Sequence, residues 1–256
     1  MSNLGAAAGW GLVVAASLLA GALAAVLLSL PERVAATATA FGGGILFAAV
    51  ALELVPEADA GAGTALTAAG LLAGTLLYVA ADAWLSRDPS MDATRRMGHA
   101  AAAGKPMGEM PHDHSVAARG EAIAAGIFVD GVPESIALGL TIADGEVGVA
   151  LLAGILLGNV VESYGAAQPI LAGGHSRRFA LVLLGAIGLA LALATIVGGT
   201  VLADASDELI GTAQAVAAGA VLAVVSIAIV PHAFAEVSRT VATATVAGFI
   251  AGYLLS

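Results

Sequence analysis

Residues 119–143 of the chain read RGEAIAAGIFVDGVPESIALGLTIA. At about 1.5 Å per helical residue, this mostly apolar run can cross the hydrocarbon core of a bilayer, which is about 30 Å thick. Two carboxylates, Asp130 and Glu134, nevertheless lie near its middle, with Pro133 between them. A carboxylate at that depth costs about 3 kcal/mol on insertion scales and usually faces a cavity or a partner. The run therefore predicts a transmembrane helix with a functional interior face.

The rest of the chain has the same apolar character. Of the 256 residues, 59% are hydrophobic and 11% are charged, and the mean hydropathy is +0.97, unlike ordinary soluble domains. A signal peptide is an alternative for the first run, but no Lys or Arg precedes it and a signal peptide begins with positive charge. We predict an all-α integral membrane protein with a single transmembrane domain over 1–256. Its eight helices are expected near 8–30, 34–55, 63–85, 119–143, 146–171, 178–203, 209–232 and 237–255.

The composition limits how these helices pack and what they bind. Ala and Gly are abundant and aromatic residues make up only 4%, as in membrane helices that approach each other closely. The chain has no cysteine, so a metal ion must be held by oxygen or imidazole nitrogen. The net charge of −10 is less informative than the positions of the charges, and no nucleic-acid partner is expected.

The Lys and Arg residues occupy one alternating set of loops between the predicted helices. By the positive-inside rule these loops are cytoplasmic, which predicts a multi-pass protein of the cell membrane with both termini outside. The other loops carry acidic residues and no cation. The nine cationic residues are Arg33, Arg87, Arg95, Arg96, Lys105, Arg119, Arg177, Arg178 and Arg239.

A polar stretch at about 86–118 interrupts the apolar pattern. Its Gly, Met and His content predicts a flexible cytoplasmic loop. His99, His112 and His114 would bind metal weakly there, and the alternative, a solvated loop with incidental histidines, stays open.

Two short motifs recur along the chain. Residues 130–135 read DGVPES and residues 158–163 read GNVVES; 54–57 read LVPE and 229–232 read IVPH. Similar motifs on helices of opposite orientation are typical of inverted-topology repeats, which bind substrate near the membrane midplane.

The first pair of motifs carries the candidate metal ligands. Asp130 and Glu134, spaced i, i+4, share one helix face, and Asn159 and Glu162, spaced i, i+3, share another. Three carboxylates and an amide oxygen form a hard, oxygen-rich set suited to a divalent cation. Because Pro133 donates no N–H, we also expect a kink there, with room left by Gly131. The alternative for each acid alone is a protonated or hydrogen-bonded structural residue.

Other polar residues extend this line across the membrane. Glu53 and Glu57 lie near the outer end of the second predicted helix, and His232 and Glu236 lie near the inner end of the seventh. We interpret them as pathway residues; solvated helix ends are the alternative.

These residues resemble the ZIP family of divalent metal transporters. The likeness covers the eight helices, the histidine-containing loop, the ELVPEA sequence at 53–58 and the paired motifs of helices four and five. It implies a 3+2+3 inverted-repeat bundle with metal ligands at Asp130, Glu134, Asn159 and Glu162. The metal ion would be the substrate, and no resident cofactor is expected. A homodimer is compatible with the sequence.

The chain departs from the family pattern where metal choice is decided. Asp130 stands where His is usual, Gly131 where Asn or Asp is usual, and Gly158 at a position that often carries a ligand. The expected function is transport of Zn²⁺, or of a broader set including Mn²⁺, Fe²⁺, Co²⁺ and Cd²⁺. The alternatives are a membrane-embedded metal-dependent enzyme, for which no catalytic motif is found, and a metal sensor that does not transport.

Overall fold

The computed structural model describes residues 3–85, 87, 116–145, 147–172, 174–201, 205–229 and 238–256, and all regular elements in these ranges are helical. Of the loop predicted at about 86–118, Arg87 lies in a turn, residues 116–118 are helical, and the others lie outside the described residues. Two turns of π-helix lie at Val50–Leu54 and Val225–Ile229. The helices are α1 Asn3–Leu27, α2 Glu32–Ala49, α3 Val55–Ala62, α4 Thr64–Leu85, α5 Val116–Ala143, α6 Val149–Ala172, α7 Arg177–Val201, α8 Asp207–Val224 and α9 Ser238–Leu255.

The helices agree with the spans predicted from the sequence. Within the described residues, seven spans are long and apolar enough to cross a membrane, and α9 is a shorter apolar helix. The chain is thus an all-α, multi-pass membrane protein. The second span runs further than predicted, from Arg33 to Ala62, because Pro56 occupies the first turn of α3, where its missing N–H is tolerated. Gly63, at φ +79°, then ends α3.

The inner helices are separated from the bilayer by an outer set. The middle of the bundle is formed by α2, α5, α6 and α8, and a large apolar cluster there includes Leu46, Leu138 and Leu151. Leucines on α1, α4 and α7 project outward instead, among them Leu72 and Leu193. Exposed leucines are expected where lipid is the solvent.

The principal contacts between helices define how the bundle is assembled. α1 packs against α6 and α7, and α5 against α7 and α8. α2 packs against α6 and α9, and α4 against α8. α5 and α6, which carry the candidate metal ligands, also contact each other.

Glycines permit the closest of these approaches. A Cβ atom at Gly44 would collide with the carbonyl oxygen of Thr245 on α9, and one at Gly219 with that of Leu71 on α4. Such contacts between backbones are typical of small residues at membrane helix interfaces.

Candidate metal site

The four predicted ligands lie on the interior faces of α5 and α6. Asp130, Glu134 and Asn159 are 2%, 4% and 1% exposed, and Glu162 is half-buried. The helical spacing predicted from the sequence therefore holds, and none of the four faces lipid as a fully exposed side chain.

The three carboxylates are close enough for their charges to interact. An ionised Glu134 or Asp130 disfavours a negative charge on Glu162, and an ionised Asp130 disfavours one on Glu134. No Lys or Arg occurs between residues 120 and 176, so α6 supplies no cationic side chain. The two helices thus bring three acidic side chains together along a stretch of sequence, 120–176, that contains no Lys or Arg.

Tyr78 of α4 is a site residue that the sequence interpretation missed. Its hydroxyl donates a hydrogen bond of 2.5 Å to Oδ1 of Asp130, and the side chain is 3% exposed. The signal available was a tyrosine in the middle of an apolar helix, since a buried tyrosine hydroxyl usually finds a partner. That partner was not identifiable from spacing, because 52 residues separate the two positions.

Asn159 is oriented by α1. Its Nδ2 donates to Oγ of Ser17 at 3.2 Å, and Ser17 donates to the carbonyl oxygen of Val14 at 2.7 Å. The hydroxyl of Ser163 donates to the Asn159 carbonyl at 2.6 Å. The amide nitrogen is a donor and faces α1, whereas the amide oxygen of Asn159 is the acceptor atom that can bind a cation.

Pro133 and Gly131 both lie within α5. The helix is continuous from Val116 to Ala143 with Pro133 inside it, and the kink expected at Pro133 stays a prediction. Gly131 does leave room, but for Leu191 of α7: a Cβ atom at Gly131 would lie 2.6 Å from Cδ1 of Leu191. Its small size therefore serves helix packing.

The predicted pathway residues have varied surroundings. Glu57 is half-buried and accepts a 3.1 Å hydrogen bond from Nε2 of Gln214 on α8. Glu53 caps α6: its Oε1 accepts from the N–H of Ala150 at 3.0 Å and its Oε2 from that of Leu151 at 3.1 Å. The remaining predictions, at His232, Glu236, His99, His112 and His114, lie outside the described residues.

Within the part of the chain that the structure describes, no three His, Asp or Glu side chains form a cluster that could hold a metal ion. A cation held here by Glu134 and Glu162 would thus need further oxygen ligands, such as the Asn159 amide or water. A search against protein-family models finds no match to this chain, and a search of curated proteins finds no relative.

Proposed function

We propose that this protein transports divalent metal cations across the membrane through the carboxylates of α5 and α6. The observation that carries the proposal is the burial of Asp130 and Glu134 on α5, with Glu162 half-buried on α6, in a stretch of sequence that has no Lys or Arg between residues 120 and 176. Ionisable residues inside a membrane are expensive and usually mark an ion pathway.

A divalent cation is the ligand that best neutralises the negative charge of these three carboxylates. Anionic carboxylates repel one another, so an empty site would be stabilised by protons and a loaded site by the cation. Proton and metal would thus compete for the same oxygens. We propose that Glu134 and Glu162 share one ion, with the Asn159 amide and water as further ligands. Incomplete coordination by protein suits a site that must also release its ion.

We further propose an inverted 3+2+3 repeat. Exchanging α1 with α7, α2 with α8, α4 with α9 and α5 with α6 turns three helix contacts of the described residues into three others: α2–α9 into α8–α4, α1–α6 into α7–α5, and α2–α6 into α8–α5. π-Helical turns follow both α2 and α8.

The contact between α1 and α7 supports the same exchange. A Cβ atom at Gly11 would lie 2.9 Å from the carbonyl oxygen of Ala192, and one at Gly188 would lie 3.0 Å from that of Ala15. Each glycine thus meets the alanine four residues after the other, which is a reciprocal contact of the kind that a two-fold axis produces.

The resemblance to ZIP-type transporters supports this function, and the two termini are proposed to lie outside the cell. Asp130 stands where the family usually has His. Because a carboxylate is a harder ligand than imidazole, this difference favours a broad selectivity that includes Zn²⁺, Mn²⁺, Fe²⁺, Co²⁺ and Cd²⁺.

Flux into sealed vesicles tests the proposal. The purified chain is reconstituted with a metal-sensitive dye trapped inside, and Mn²⁺, Zn²⁺ or Cd²⁺ is added outside. We expect entry with the native chain, and entry at the protein-free rate with Glu134→Gln or Glu162→Gln. Asp144→Asn is the matched control, because Asp144 is exposed beyond the end of α5.

Metal binding without flux by the native chain would contradict transport and favour a sensor. Normal flux in both Gln variants would exclude these carboxylates as the pathway.

A further inference from the structure

A crevice of about 500 Å³ lies between α4, α5 and α8. Its lining positions fall within 74–81, 128–136 and 213–220, near the middle of the three helices. The crevice therefore lies at the depth of the bilayer hydrocarbon. Leu77 and Phe128, two of its lining residues, are 64% and 43% exposed, so it opens sideways toward lipid.

Water cannot fill this space. Among the described residues that line it, Tyr78 alone has a polar side chain; the others are glycine, alanine, proline, phenylalanine and branched aliphatic residues. The Tyr78 hydroxyl already donates to Asp130. A buried water needs two to four polar partners, which these walls do not supply. An empty crevice is also unfavourable, because its walls would lose their dispersion contacts.

We propose that the crevice binds the acyl chain of a bilayer lipid. Its mouth is continuous with the lipid-facing surface of α4, where Leu72 and Leu76 are 62% and 58% exposed, so acyl chains are always present at the opening. None of the described lining residues is charged, which favours the hydrocarbon tail over the head group. This binding does not depend on the proposed transport function.

The bound chain would lie directly beside the metal site. Tyr78 and Pro133 both line the crevice; the first is hydrogen-bonded to Asp130 and the second precedes Glu134. An acyl chain packed on Tyr78 would therefore be separated from the Asp130 carboxylate by the Tyr78 side chain, and it would keep water from reaching Asp130 through this side of the bundle.

Quenching of tryptophan fluorescence by brominated lipid tests the proposal. Trp10 and Trp84, the two native tryptophans, are first replaced by Phe. A single tryptophan is then introduced by Phe128→Trp, in the crevice, or by Phe249→Trp on α9. The second is a matched control, because Phe128 and Phe249 are 43% and 39% exposed. Both chains are reconstituted into phosphatidylcholine brominated midway along its acyl chains.

We expect a larger loss of fluorescence at position 128 than at position 249. Filling the crevice with Ala81→Phe should reduce the loss at 128 to the level at 249 or below, and leave the loss at 249 unchanged. Val216→Phe, from the opposite wall, repeats the test should the first variant not fold. Circular dichroism and a single gel-filtration peak report folding.

Equal losses at the two positions, unaffected by either filling variant, would overturn the proposal. So would weaker quenching at 128 that increases as protein is diluted in lipid, because that result would indicate a second copy of the chain in the crevice.

Discussion

Tyr78 connects α4 to the candidate metal site through one side-chain contact. Its ring packs with Ala220, Ala223 and Val224 of α8, while its hydroxyl reaches Asp130. One oxygen of Asp130 is thus engaged before any cation arrives.

Tyr78→Phe should lower the stability of the metal-free protein by on the order of 1 kcal/mol, because hydrogen bonds between membrane helices have about that value. The substitution removes the hydroxyl and keeps the ring. Thermal unfolding in detergent measures the effect, and Tyr253→Phe, at an exposed tyrosine of α9, is the control. Equal changes in melting temperature for the two variants would show that the Asp130 contact does not stabilise the bundle.

Asp130→His should raise the preference for Zn²⁺ over Mn²⁺, because imidazole favours the later metals of the divalent series. Competition between the two ions for entry into vesicles measures the preference. Asp144→His adds an imidazole at an exposed position and should leave the preference unchanged. An unchanged preference in Asp130→His would mean that residue 130 does not select the metal.

At the level of elements, α6 is held at its N-terminus by side chains from two other helices. Both Glu53 oxygens accept from its first turn, and the N–H of Gly148 donates to Oγ1 of Thr141 at 3.3 Å. The Glu53 carboxylate accepts hydrogen bonds from backbone N–H groups that have no partner within the first turn of a helix. The helix dipole also stabilises a carboxylate at the N-terminus of a helix. Glu53 therefore has a structural role, whether or not it also lies on the pathway.

Glu53→Gln should loosen the start of α6, because the amide offers one acceptor oxygen where the carboxylate offers two. Loss of a helix cap typically costs about 1 kcal/mol. Hydrogen exchange at Ala150 and Leu151 should become faster, with less change at the far end of α6. Asp59→Asn, an exposed acid on α3, is the control. Unchanged exchange at Ala150 and Leu151 would contradict the capping role.

For the whole molecule, the positions of the Lys and Arg residues predict its orientation in the membrane. The native chain has no cysteine, so a single introduced cysteine reports one position without background. Ser115→Cys and Ser256→Cys should react with a membrane-impermeant reagent from opposite sides, the second from outside the cell. Labelling from the same side would refute the eight-span topology.

The sequence by itself determined the spans and the positions of the acids along them. Apolar length decides whether a segment can cross a bilayer, and helical spacing places Asp130 with Glu134 and Asn159 with Glu162 on shared faces. Both are local properties of the chain. They hold whichever helices become neighbours.

Only the tertiary structure decided which groups meet across helices. The partner of Asp130 is 52 residues away, Glu53 reaches α6 across 97 residues, and Gly131 accommodates Leu191. No periodicity in the sequence encodes these contacts, because they depend on which helix faces pack together and how closely their small residues allow the backbones to approach. The same packing leaves the crevice between α4, α5 and α8.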